Sequence, residues 1–293
     1  MMRPPHYLCI GMQKAGTTWL SDRLKQHPGI YPPALKEPHY FDGLHYWPKL
    51  HQDAGSPIAH HTLVANMLSS VLDNLSYSLD NMKTALDERS DNAYRILEWA
   101  QKLVALRKAP ATPEWYEKVF AGAPEGALCG DFSADTYMLD RPGIDKILEW
   151  NPDAKIILML RDPVDRDWSQ IRMMYEPGGI PLEDWLDQPV LEGRQEYEQI
   201  LTRWEAAFGS RMHVELYDHI RSEPDALLDR IVEFLELPPL GRAWEGAGAV
   251  NFKGPSVELP DKLRRRLVKR NLPALRYLAA RFPTCEAWLQ RHR

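Results

Sequence analysis

The sequence predicts an α/β protein whose core is a parallel, doubly wound β-sheet flanked by helices. Three observations carry that expectation. Short strand-like runs occur at residues 7–10, 127–133, 155–160 and 212–217. Each is followed by a stretch whose apolar residues recur at helical spacing. Strands alternating with helices in this way favour parallel βαβ units over hairpins. Between the first run and its helix lies a glycine turn, Gly11-Met12-Gln13-Lys14-Ala15-Gly16.

Taken in order, Tyr7-Leu8-Cys9-Ile10 is short and apolar enough for a buried strand. Thr17-Thr18-Trp19-Leu20 opens a helix expected to run to about His27, where Pro28 ends it. Pro32 and Pro33 exclude helix from residues 29–35, an extended segment. Pro38 keeps Glu37 extended as well. Leu63, Met67, Val71, Leu75, Leu79 and Met82, then Ile96, Trp99, Ala100, Leu103 and Leu106, give two helical patterns closed by Pro110 and Pro113. The domain organisation expected is therefore one domain over residues 1–293. Residues 43–112 form an inserted helical subregion within it, either packing on the rim or serving as a lid or acceptor-binding wall. Residues 115–120 start a short helix, and residues 127–133 read as a strand whose polar end carries Asp131 and Ser133. Residues 141–150 are helical up to Asn151-Pro152. The strand at 155–160 leads into Arg161-Asp162-Pro163, and Pro163 suits the first turn of the next helix. Glu176-Pro177-Gly178-Gly179 breaks that helix. Residues 182–186 and 192–208 are helical, with Tyr197, Ile200, Leu201, Trp204 and Phe208 on one core-facing side. After the strand at 212–217, an amphipathic helix occupies 224–235. A basic helical run spans 262–270, with Leu263, Leu267 and Val268 as its apolar stripe.

Composition narrows the function classes. The chain has 293 residues, 44% hydrophobic and 26% charged, which is ordinary for a soluble globular protein. A net charge of −5 gives no general attraction to nucleic acid or to an anionic membrane, so any anion site must be local. Three cysteines, Cys9, Cys129 and Cys285, do not make a disulfide framework and suit a reducing compartment. Cys9 and Cys129 lie in strand contexts and read as core residues. No zinc-type spacing of His and Cys occurs, and His45, His51, His60 and His61 match no known site, so no metal is expected. Without an apolar leader or a run of about 18 apolar residues, the expectation is a cytoplasmic protein with no integral membrane segment. Nothing in the sequence sets the oligomeric state.

The chemistry concentrates at two strand ends. Strand, glycine turn and helix together make an anion cradle: the first helical N–H groups lack intrahelical partners, and the helix dipole presents its positive end there. Lys14 adds a charge, and Thr17 and Thr18 add hydroxyls. An ATP-type loop needs G-x-x-x-x-G-K-[ST]. Gly11 and Gly16 have that spacing, but Thr17 stands where the lysine belongs. Incidental glycines in a plain strand-turn-helix would read the same way. The second strand end carries Arg161, suited to bidentate grip on a phosphate, with Ser169 further along the helix. Open α/β sheets bind ligands at such carboxyl ends.

These residues carry a family resemblance. Lys14-Ala15-Gly16-Thr17-Thr18-Trp19 resembles the 5′-phosphosulfate loop of sulfotransferases that use 3′-phosphoadenosine-5′-phosphosulfate (PAPS). Arg161 through Ser169 resembles that family's 3′-phosphate motif. Lys36-Glu37-Pro38-His39-Tyr40-Phe41-Asp42, Pro113-Glu114-Trp115-Tyr116 and Gly130-Asp131-Phe132-Ser133 are similar to the branch holding heparan sulfate sulfotransferases and their soluble bacterial relatives. The length of the 43–112 stretch departs from that pattern.

The resemblance implies a P-loop-like sulfotransferase fold. It also implies in-line transfer of a sulfuryl group from PAPS to a hydroxyl or amine, leaving 3′,5′-ADP (PAP). Glu37 matches the catalytic base, with His39 as the alternative base or an acceptor-binding group. Lys14 would stabilise the leaving 5′-phosphate, and Lys36 would steady the sulfuryl group. Lys14, Ala15, Gly16, Thr17, Thr18 and Trp19 would hold the 5′ side, and Arg161 and Ser169 the 3′-phosphate. Lys253 and Gly254 match a basic loop that closes over the nucleotide. The acceptor would be a saccharide, lipid or small metabolite. Two other readings remain at this point: an ATP-dependent kinase, which lacks its Walker lysine, and a nucleotide-binding module without activity.

Overall fold

The computed structural model describes residues 4–35, 37–45, 111–175, 179–188, 191–246 and 257–292. Its sheet contains β1 (Tyr7–Gly11), β2 (Ile30–Tyr31), β3 (Leu128–Asp131), β4 (Lys155–Leu160) and β5 (Met212–Leu216). They pair in the order β2-β3-β1-β4-β5, every pair parallel. The expected α/β class with a parallel sheet is what forms. β1 and β4 lie at the centre and are buried almost throughout, which is why both read as unbroken apolar runs. β5 is at the edge. Its first three residues are half-buried, and polar His213 and Glu215 alternate with Met212, Val214 and Leu216 along it.

The strand order places the site. From β1 the chain crosses toward β2; from β4 it crosses the other way, toward β5. The carboxyl ends of the adjacent strands β1 and β4 therefore flank a crevice at the topological switch point, the usual ligand position in such sheets.

The flanking helices are α1 (Thr17–Leu24), α2 (Tyr40–His45), α3 (Pro113–Val119), α4 (Arg141–Trp150), α5 (Pro163–Met174), α6 (Tyr197–Phe208), α7 (His219–Ser222), α8 (Pro224–Phe234), α9 (Asp261–Arg281) and α10 (Glu286–Arg291). Several starts are decided locally. Asp140 accepts from the Gly143 N–H at the start of α4, and Asp162 caps α5 with Pro163 in its first turn. The residues expected to face the core on α6, from Tyr197 to Phe208, are buried.

Some boundaries differ from expectation, each for a physical reason. α1 stops at Leu24 because His27 turns inward, pairs with the Pro238 carbonyl and accepts from the Gly29 N–H. Residues 182–187 form a 3-10 turn, and α6 begins only at Tyr197. The motif around Glu37 does not stay extended: His39 turns into the left-handed region at φ 53°, and α2 begins at Tyr40. The basic run at 262–270 is the first half of the longer α9, which continues through Pro273. Three of its cations reach residues 183–191: Lys262 pairs with Glu183, Arg266 with Asp187, and Arg270 with the carbonyls of Leu186 and Leu191.

Most of the insertion expected over 43–112 lies outside the described residues. The elements that bracket it are pinned together. Tyr40 on α2 stacks on Tyr116 of α3 with ring centroids 4.3 Å apart, and Trp150 packs edge-on against both. Such pairs add about 0.5–1.5 kcal/mol each beyond area burial. Cys9, Cys129 and Cys285 are buried, and none of them is in a disulfide. Among the described residues no helix is long and apolar enough to cross a membrane.

Candidate active site

The turn after β1 is built around two glycines. Gly16 caps α1 at φ 92°, a left-handed conformation that side chains rarely adopt. A Cβ there would lie 2.5 Å from Ile220 Cδ1 and 3.2 Å from the Tyr217 ring. Gly11 has φ 146°, and its Cβ would meet Tyr137 at 2.6 Å. The turn closes on itself through Ala15 N–H to the Met12 carbonyl and is tied to β4 by Met12 N–H to the Met159 carbonyl. α1 has no acidic residue in its first turn, so nothing there offsets its positive end. Thr17 is buried at this end, Thr18 is exposed, and Trp19 is largely buried.

The second strand end meets the first. Arg161 Nη1 donates to the Lys14 carbonyl at 2.9 Å, joining residues 147 apart in sequence. The Arg161 guanidinium lies 4.4 Å above the Tyr217 ring, and Tyr217 N–H is bonded to the Leu160 carbonyl. Lys14 Nζ reaches the Met173 sulfur at 3.2 Å, so the turn also touches α5. Ser169 sits on the buried side of α5. Lys14, Gly16, Thr17 and Arg161 therefore converge at the switch point, with Ser169 on the helix that follows Arg161.

Glu37 and His39 form a second cluster. His39 Nδ1 pairs with Asp42 Oδ2 at 2.6 Å, and Asp42 is fully buried. His39 Nε2 lies 3.5 Å from Glu37 Oε2. Burial opposes charge on this ring, but the Asp42 carboxylate, with Glu37 assisting, outweighs it and holds the imidazole up to about 10. His39 is thus an imidazolium at neutral pH. Its backbone has φ 53°, and its N–H donates to Ser133 Oγ at 2.8 Å. Ser133 donates in turn to Asp131 Oδ1, and Tyr116 donates to Asp131 Oδ2 at 2.6 Å. Asp131 and Ser133 are buried supports of the His39 backbone rather than cleft-facing groups. Burial drives the Asp131 carboxyl up to about 6 even though Ser133 and Tyr116 donate to it.

Lys36, Lys253 and Gly254 lie outside the described residues. The sequence reading missed Tyr217 and Asp42. Tyr217 ends a strand just as Arg161 follows one, so position was the available signal. Asp42 follows His39 by three residues, a spacing that a short helix turns into contact. Among the described residues no group of three or more His, Cys, Asp or Glu is placed to hold a metal ion.

The glycine turn and Arg161 meet at the switch point, the position where parallel α/β sheets bind their ligands. The chain belongs to the sulfotransferase family, whose model matches residues 5–240. Carbohydrate sulfotransferase 15 of Mus musculus is 25% identical over 205 residues, covering 67% of this chain and 32% of that protein. Its Rattus norvegicus counterpart is 26% identical over 198 residues, with the same shares covered. The chain spans about a third of the length of these curated relatives. The crystal structure of a sulfotransferase from Alicyclobacillus acidocaldarius superposes with a TM-score of 0.61, covering 94% of each chain at 20% identity, a likeness of fold.

Proposed function

We propose that this protein is a PAPS-dependent sulfotransferase that sulfates a hydroxyl or amine, on a saccharide in the first instance and otherwise on a lipid or small metabolite. One observation carries the reading: the Arg161 guanidinium is bonded to the Lys14 carbonyl, which brings two anion-binding segments to one point. A donor with phosphates at both its 3′ and 5′ positions calls for two such segments. ATP does not, and Thr17 in place of a Walker lysine disfavours a kinase. The glycine turn supports the reading, because Gly16 lets the turn pack against Ile220 and Tyr217 at φ 92° and so brings the start of α1 close to Arg161. A saccharide acceptor is supported by the relatives named above. The three buried thiols support a cytoplasmic location.

PAPS supplies the sulfuryl group, and the chain supplies position and charge. Glu37 takes the proton lost by the acceptor as its oxygen or nitrogen bonds to sulfur. His39 is held protonated, so it orients Glu37 and faces the acceptor rather than taking the proton. Lys14 and the first N–H groups of α1 take up the charge left on the 5′-phosphate oxygen when its bond to sulfur breaks. Ala15, Gly16, Thr17, Thr18 and Trp19 shape the 5′ side, and Arg161 and Ser169 hold the 3′-phosphate. Lys36 steadies the sulfuryl group, and Lys253-Gly254 cover the nucleotide. Residues 43–112 are the candidate lid or acceptor-binding wall.

Thermal unfolding with 3′,5′-ADP, 5′-ADP or ATP-magnesium tests the donor. A ligand that binds only the folded state adds about 2.7 kcal/mol at a hundredfold excess over Kd. Stabilisation by 3′,5′-ADP above the other two is expected. Stabilisation by ATP-magnesium alone would overturn the proposal in favour of the kinase. If 3′,5′-ADP binds, turnover of PAPS with saccharide, lipid and amine acceptors separates the acceptor classes.

A further inference from the structure

The two residues that face each other over the cradle, Arg161 and Tyr217, are each followed by a buried or half-buried aspartate tied to the same distant helix. After Arg161 comes Asp162, 1% exposed, whose Oδ1 caps α5 by accepting from the Val164 and Asp165 N–H groups. Its Oδ2 faces α10 instead: His292 Nε2 is 2.9 Å away and Arg291 Nη1 3.4 Å. Arg291 also reaches Asp165 Oδ2 at 3.1 Å. After Tyr217 comes Asp218, whose Oδ2 accepts from the Trp288 indole N–H at 2.7 Å. Trp288 is itself buried.

An open pocket of about 350 Å³ lies between the Asp218 turn and α10, bounded in part by Asp218, His219, Glu223, Thr284 and Trp288. The Trp288 hydrogen bond is what spans from α10 to the loop beside that space. α10 also lies beyond residues 5–240, the part of the chain that matches the family model. The strap is thus supplied by sequence outside the matched region.

We infer that α10 and His292 form a strap that positions Arg161 and Tyr217 for the 3′-phosphate, with Trp288, Arg291 and His292 as positioning residues. The inference rests on the donor reading proposed above. It assigns the strap no contact with donor or acceptor. Its effect is exerted through Asp162 and Asp218 and is felt where the neighbouring residues meet the ligand.

The test measures Kd by calorimetry for 3′,5′-ADP and for 5′-AMP, which lacks the 3′-phosphate. Wild type, the double variant Arg291→Ala/His292→Ala, and Trp288→Phe are compared, with unfolding midpoints taken alongside. Trp288→Phe keeps the buried ring and removes only the donated N–H. Loss of one charged hydrogen bond's worth of positioning should raise the Kd for 3′,5′-ADP about tenfold in the double variant. The Kd for 5′-AMP should stay nearly constant, and Arg291→Lys with His292 intact should restore most of the loss. Trp288→Phe should move the ratio in the same direction. A merely structural helix would lower the midpoint and weaken both ligands together. If wild type does not bind 3′,5′-ADP, the donor reading fails and the strap fails with it. If wild type binds and either folded variant keeps the wild-type ratio of the two Kd values, the strap is wrong and the donor reading stands.

Discussion

Asp42→Asn tests whether the Asp42 carboxylate makes His39 a cation against the opposing effect of burial. The imidazole is raised from 6.5 to about 10 although burial pulls it down, and Asp42 supplies the largest upward contribution, by attraction and by the 2.6 Å hydrogen bond. At about 1.4 kcal/mol per pH unit, a rise of this size corresponds to about 5 kcal/mol, an order-of-magnitude ceiling. Because the folded state holds the proton more tightly than the unfolded chain, this stabilisation is complete below pH 6.5. It is lost as pH rises through about 10. Wild-type unfolding free energy, from urea melts at successive pH values, should therefore fall between those limits by up to about 5 kcal/mol. Asp42→Asn keeps the shape, removes the charge and leaves the burial in place. Its stability should be lower at pH 7 and nearly flat over the same range. Nitrogen-resolved NMR of the imidazole, assigned with His39→Gln, reads the titration directly. A wild-type His39 midpoint near 6.5, or one that does not move in Asp42→Asn, would refute the reasoning.

Glu37→Gln should lower kcat by about 10²–10⁴-fold, the usual contribution of a general base, while thermal stabilisation by 3′,5′-ADP is retained. Near-normal turnover would remove Glu37 from the base role. Arg161→Ala should abolish the preference for 3′,5′-ADP over 5′-AMP, since it removes the 3′ grip and the bond to the Lys14 carbonyl together; an unchanged preference in calorimetry would count against the site. Gly16→Ala should cost about 1–3 kcal/mol in urea melts from backbone strain at φ 92° and the 2.5 Å approach to Ile220, and should weaken nucleotide binding as well. Asp131 is raised from 3.8 to about 6, chiefly by burial, so the folded state holds its proton longest there and wild-type stability should fall as pH rises between those values. Asp131→Asn should remove that decline, worth about 3 kcal/mol at most, and a decline that persists would place its source elsewhere.

By itself the sequence determined the features that neighbouring residues decide. The strand-turn-helix around Gly11 and Gly16 was legible because an apolar run, two glycines and a helical pattern follow one another within residues 7–20. The strand at 155–160 and the helix from Pro163 were legible for the same reason: an unbroken apolar run, then Asp162 and Pro163, which suit a cap and a first turn. The parallel sheet followed from the alternation of such units. The basic run at 262–270 was legible as a helix, but its partners were not: Lys262, Arg266 and Arg270 pair with residues 183–191, far away in sequence.

Tertiary structure alone decided how remote segments meet. The bond from Arg161 to the Lys14 carbonyl, the Tyr217 ring beneath Arg161, and the ties from α10 to Asp162 and Asp218 all depend on strand order. The charge on His39 is divided between the two levels. Its spacing to Asp42 is local, but the burial that removes water from the pair, and the Ser133 hydroxyl that holds its backbone, come from packing of β3 and α3 against the motif. Local propensity acts over a few residues. Desolvation and convergence at a sheet's switch point are set by which strands lie side by side, and that is a property of the whole folded chain.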